Sequence, residues 1–95
     1  MSELRQSVTI VNKRGLHARA SAKFVGAVAA LEKDVSVKVA KDGNSAAGGS
    51  ILGLMMLGAA KGDTVEVIVK GDDASDAQSV LDDLVALIAD GFGEE

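Results

Sequence analysis

Two runs in which valine takes every second position, Val35-Ser36-Val37-Lys38-Val39 and Val65-Glu66-Val67-Ile68-Val69, constrain this chain more than any other feature. Alternation with period two suits an extended strand that buries one face, and branched side chains fit its pleated surface. Both runs predict strands, over Val35–Val39 and Thr64–Lys70. Ahead of them Val8 and Ile10 alternate with Ser7 and Thr9, predicting a first strand that ends near Val11. Asp42-Gly43 favours a tight hairpin into a further strand from Asn44 to about Ala47. Serine, alanine and glycine dominate that strand, so it is expected to be short and at an edge or bulged.

Between the strands the apolar spacing changes to three and four. Ala20, Phe24, Ala27, Val28 and Leu31 mark a helix from Ala18 to Ala30 or Leu31. Ser50 can cap a short helix over the following apolar run, which Gly58 can end in a left-handed conformation. Asp72 or Asp73 can cap a last helix with an apolar stripe of Ala77, Val80, Leu81, Leu84 and Ile88, which Gly91 and Gly93 stop. The order β-α-β-β-α-β-α buries all these faces if three helices lie on one face of a four-stranded antiparallel sheet, an α+β open-faced sandwich.

At 95 residues, with no proline and no Gly-Ser linker, residues 1–95 are expected to form one domain. The absence of cysteine removes disulfides, thiolate metal sites and cysteine nucleophiles together. Met1 to Val8 holds no apolar signal core, and Ile51–Ala60, broken by Gly53 and Gly58, falls short of the roughly 20 residues that span a bilayer. A cytoplasmic protein with no membrane segment is expected. A net charge of −4 and two aromatics, both phenylalanine, offer neither the basic footprint nor the stacking platforms of a nucleic-acid binder.

The acidic residues crowd into the segment from Asp72 onward, whereas Lys13, Arg14, Arg19 and Lys23 surround the only histidine, His17. His17 stands where a turn containing Gly15 meets the first helix. Helix starts present unpaired N–H groups and the positive end of the macrodipole, which favours an anion there by roughly 0.3–1 kcal/mol. No second histidine completes a metal site, no carboxylate pair flanks an obvious cleft, and no serine has another base beside it, so no metal or cofactor is expected. If the chain performs covalent chemistry, His17 is its nucleophile, and Arg19 can pair with phosphoryl oxygens. From composition alone, a lone histidine near a turn is more often a helix cap or a solvated side chain, and an isolated arginine a solvated charge. Ile51, Leu52 and Met55, at i, i+1 and i+4, can share an exposed face or belong to the core, where Leu54 and Leu57 are expected.

Gly15-Leu16-His17-Ala18-Arg19 before an alanine-rich helix, followed at a distance by Gly49-Ser50-Ile51-Leu52-Gly53-Leu54-Met55-Met56-Leu57-Gly58-Ala59-Ala60-Lys61-Gly62, resembles HPr, the histidine-containing phosphocarrier family of the bacterial phosphoenolpyruvate:sugar phosphotransferase system. The likeness runs from about Gln6 to Phe92. It implies a carrier without turnover of its own, in which His17 takes a phosphoryl group on Nδ1 from phospho-Enzyme I and passes it to a histidine of an enzyme IIA protein. It further implies that Arg19 contacts the phosphoryl group and that Ser50 matches the serine modified by an ATP-dependent HPr kinase/phosphorylase. Ala20, Ile51, Leu52 and Met55 fall at partner-facing positions, and a monomer is expected, since His17 must meet two partners in turn. Ala20 replaces the family's usual proline, and Ser21 a common alanine; proline in a first turn prearranges φ, so its loss is expected to change kinetics modestly. Asn12-Lys13 and the tail Gly91-Phe92-Gly93-Glu94-Glu95 resemble the nitrogen-related branch of the system, where phosphorylation state selects partners and no sugar is taken up.

Overall fold

The computed structural model describes residues 2–94. Met1, at the head of the segment read as free of a signal core, and Glu95, the end of the acidic tail, lie outside the described residues. The chain runs through β1 (Ser2–Thr9), α1 (Ala18–Ala29), β2 (Val35–Lys41), β3 (Asn44–Ala47), α2 (Ile51–Met56), β4 (Thr64–Gly71) and α3 (Ala74–Ala89), then a tight turn over Gly91–Gly93. The strands form one antiparallel sheet in the order β1-β4-β2-β3. The two valine runs are therefore its central strands. Val37 stands opposite Val69 and Val39 opposite Val67, which stacks the branched side chains on one face. Each buried valine contributes roughly 1.5–3 kcal/mol relative to an exposed one.

The weak strand β3 lies at one edge, as its composition led us to expect. The other edge strand, β1, starts earlier than its own alternation indicates. Its polar half, Ser2–Gln6, is carried by pairing with β4 from Ser2 opposite Gly71 to Gln6 opposite Val67. Beyond Thr9, Ile10 still donates to Asp63 O at 2.8 Å and accepts from Gly62 N–H at 2.8 Å, so the edge leads directly into the turn before α1.

The helices cover the valine face. Ala77, Val80, Leu81, Leu84 and Ile88 are all buried where α3 crosses β1 and β4, and α1 and α2 add Ala20, Phe24 and Leu54 to the same core. Asp73 caps α3 by accepting from the N–H groups of Ser75 and Asp76, at 2.8 and 3.1 Å. Gly58 leaves α2 at a φ of +66°. The opposite face of the sheet is open and carries charges, with Arg5 donating to Glu66 at 3.1 Å and to Glu3 at 3.4 Å. Among the described residues no helix is long and apolar enough to cross a membrane.

Candidate functional site

The loop ahead of α1 is set by close backbone contact. Gly15 has a φ of +61°, and a Cβ there would run into the Ala59 carbonyl oxygen and lie 2.8 Å from Ala60 Cα. Only glycine meets both conditions. The next residue, Leu16, donates its N–H to Ala59 O at 2.9 Å, which ties this loop to the segment leaving α2. Asn12 is buried and closes the turn, donating Nδ2–H to Gly15 O at 2.8 Å while Gly15 N–H returns to Asn12 O at 3.2 Å. Ser21 is also buried and donates its hydroxyl to Leu16 O at 3.2 Å.

This loop delivers His17 as the N-cap of α1. Its backbone is extended, at φ −76° and ψ −177°, and its Nδ1 accepts from the Arg19 N–H at 3.2 Å. On the other side of the ring, Nε2 lies 2.8 Å from Glu94 Oε2. In a neutral imidazole one nitrogen donates and the other accepts. With a donor facing Nδ1 and a carboxylate facing Nε2, the partners assign the proton of the neutral ring to Nε2 and leave Nδ1 unprotonated, its lone pair accepting from the Arg19 N–H.

Glu94 reaches His17 from the far end of the chain because the tail is anchored. Phe92 is buried in the core, and φ is positive at three successive residues: 67° at Gly91, 58° at Phe92 and 72° at Gly93. A left-handed conformation at a non-glycine residue costs roughly 1–2 kcal/mol, which burial of the Phe92 ring offsets. Lys23 of α1 donates its Nζ to Phe92 O at 2.7 Å. Asn12 then donates its second Nδ2 hydrogen to Glu94 Oε1 at 2.9 Å. That hydrogen bond holds the Glu94 carboxyl below the ordinary glutamate range; burial opposes it, and the His17 contact and the Lys23 charge add to it.

Lys13, Arg14, His17, Arg19, Lys23, Gly93 and Glu94 line one open depression. The basic cluster of the sequence is thus gathered around the histidine, and Arg19 has no ion pair among the described residues. No cluster of potential metal ligands occurs among those residues. A roomier hollow lies on the open face of the sheet, bordered by Arg5, Lys38, Lys41, Asp42 and Glu66, and holds no histidine.

The second motif surrounds α2, which packs against α1. Ser50 caps it, its Oγ accepting from Gly53 N–H at 3.0 Å. Leu54 is buried and Leu57 half-buried, while Ile51, Leu52 and Met55 are exposed. Met56, which sequence reasoning left unassigned, is the most exposed of the group at 77%. Ala20 is a correction. Expected at a partner-facing position, it is fully buried, because it lies one turn before Phe24 on the inward stripe of α1.

The structure defines a class: a small α+β open-faced sandwich that presents a capping histidine in a cation-lined depression. A family model described as "PTS HPr component phosphorylation site" matches residues 4–90, and the chain belongs to that family. It is 45% identical over 82 residues to phosphocarrier protein HPr of Neisseria meningitidis, covering 86% of this chain and 90% of the relative. It is 40% identical over 94 residues to phosphocarrier protein NPr of Shewanella violacea, covering 99% and 98%. The fold matches the crystal structure of phosphocarrier protein HPr from Bacillus anthracis with a TM-score of 0.81 at 27% identity, over 93% of this chain and 99% of that one.

Proposed function

We propose that this chain is a single-domain, monomeric cytoplasmic carrier that accepts a phosphoryl group on Nδ1 of His17 from phospho-Enzyme I and donates it to a histidine of an enzyme IIA protein. The observation that carries this reading is the unprotonated Nδ1 of His17 at a helix start, facing the Arg19 N–H inside a depression lined by Lys13, Arg14, Arg19 and Lys23. The Nδ1 lone pair attacks phosphorus while the bond from phosphorus to the donor nitrogen breaks, its electron pair staying with the donor. The Arg19 N–H that now faces Nδ1 is placed to donate to an oxygen of the new phosphoryl group, and the Arg19 guanidinium is available to spread its charge. The chain is a substrate of Enzyme I and has no turnover of its own. Ile51, Leu52, Met55 and the adjacent Met56 form the apolar docking surface, and methionine adapts to more than one partner. Modification of Ser50 by a kinase would place a dianion at the edge of that surface.

The tail and the Shewanella NPr relative favour a second reading, in which the same transfer serves the nitrogen-related branch and phosphorylation state selects partners. One experiment tests both. The purified protein is incubated with phosphoenolpyruvate and the Enzyme I of either branch, and intact mass with phosphorus NMR looks for an acid-labile phosphate on His17. Its formation supports the carrier, and the more efficient Enzyme I assigns the branch. No phosphate from either enzyme overturns the carrier reading.

A further inference from the structure

We infer that Glu94 is a positioning residue for phosphoryl transfer: its carboxylate holds the Nε2–H of His17, keeps Nδ1 unprotonated, and balances the positive charge the ring acquires when phosphorus bonds to Nδ1. The inference rests on the carrier reading and assigns a role to a residue outside both sequence motifs.

The chain Asn12–Glu94–His17 carries the argument. The amide of Asn12 is fixed in one orientation, since Nδ2 faces two acceptors, Gly15 O and Glu94 Oε1, and the flipped amide would set oxygen against both. Glu94 is thereby held with Oε2 against Nε2 at 2.8 Å, a charge-assisted distance. The side chains of His17 and Glu94 are 21% and 18% exposed, so water competes little for the contact. The Gly91–Gly93 turn keeps a buried phenylalanine at positive φ two residues before Glu94, a conformation that aims the tail at the site.

The proton bookkeeping is simple. In the neutral, reactive tautomer the hydrogen is on Nε2. Bond formation at Nδ1 consumes the lone pair and leaves the ring formally cationic, and no proton departs. A carboxylate on Nε2–H therefore gains attraction as the reaction advances, which speeds the step rather than merely binding the ground state. It lies across the ring from the incoming phosphoryl group, so it stabilises the ring without standing in the path of the anion. The cations that line the depression with Glu94, Lys23, Lys13, Arg14 and Arg19, keep it receptive to phosphate although one carboxylate sits in it.

Glu94→Gln retains a hydrogen-bond acceptor and removes the charge, while Glu94→Ala removes both. With Enzyme I and phosphoenolpyruvate, each full-length variant is expected to phosphorylate about tenfold more slowly than wild type, the scale of losing one charge-assisted hydrogen bond in the transition state. Nitrogen-15 NMR of the neutral His17 ring is expected to show hydrogen on Nε2 in wild type and Glu94→Gln, and an added Nδ1–H population in Glu94→Ala. A structural tether alone would move neither signal. Wild-type rates in Glu94→Gln would overturn the inference, and so would faster transfer, which would make Glu94 an obstacle the phosphoryl group must displace. In both cases His17 of wild type still becomes phosphorylated, so the carrier reading survives. If wild type takes no phosphate, that reading fails separately, and the ring signals alone decide whether Glu94 positions the imidazole.

Discussion

The starts of α1 and α2 solve the same local problem with different side chains and in different surroundings. Each is capped by the residue before it, His17 through Nδ1 and Ser50 through Oγ. Around His17 stand four cations and one carboxylate drawn from the end of the chain, whereas Ser50 is followed by exposed Ile51, Leu52, Met55 and Met56. One helix start is arranged for a charged group and the other for an apolar partner. Because α1 and α2 pack together, the two surfaces are neighbours. On the proposed reading, chemistry and recognition are divided between neighbouring helix ends.

The division breaks most sharply if the caps are exchanged for alanine. His17→Ala should abolish acid-labile phosphorylation by Enzyme I, read by intact mass. Ser50→Ala should leave it intact and cost about 1 kcal/mol of stability for the lost cap. The next largest effect concerns the anchor of the histidine site. Phe92→Ala should lower stability by about 3–5 kcal/mol in urea unfolding, since a buried ring leaves a cavity, and no comparable anchor is needed near Ser50. Gly15→Ala should cost about 2–4 kcal/mol, combining left-handed strain with overpacking against Ala59.

Introducing charge at the apolar end sharpens the comparison at smaller scale. Ser50→Asp should slow transfer several-fold at low salt, by repulsion of an approaching phosphoenzyme, with the difference shrinking as salt is added. Equal rates for Ser50→Asp and wild type at low salt would separate the two helix ends electrostatically. Leu52→Asp tests docking directly, with weaker Enzyme I binding by calorimetry as the expected outcome and folding unchanged.

The smallest effect is a pH dependence confined to the histidine site. The Glu94 carboxyl is lowered in the folded protein, first by the Asn12 amide, so below the ordinary glutamate range of about 4.3 the folded state binds fewer protons than the unfolded chain. Its contribution is therefore complete at neutral pH and is lost as pH falls through the lowered folded value. Stability curves of wild type and Glu94→Gln should run parallel above about pH 5 and converge in acid.

Period and capping made most of the fold legible. The valines at 35–39 and 65–69 indicate central strands, and Ala77 to Ile88 indicate a buried helical stripe, because one face of each element meets the core. Ser2–Gln6 gave no such signal, since an edge strand half in water needs only its neighbour's hydrogen bonds. Local sequence placed His17 and Arg19 at the start of α1 but left their roles, and the exposure of Ile51, Leu52 and Met55, to the family resemblance. Met56 was not, because six residues make too short a helix for periodicity to separate its faces. Ala20 was misplaced when family position was preferred to its own spacing from Phe24. Glu94 was illegible as a partner of His17: its approach depends on a phenylalanine in a conformation usually left to glycine, which no apolar pattern encodes.

The contact between His17 and Glu94 spans 77 positions of the chain. During synthesis His17 therefore leaves the ribosome well before the carboxylate that faces it, and after β1 but before β4, the strand that pairs with β1. The assembled pair is a mark of finished folding. A partly unfolded chain displays its histidine without the Glu94 carboxylate beside it.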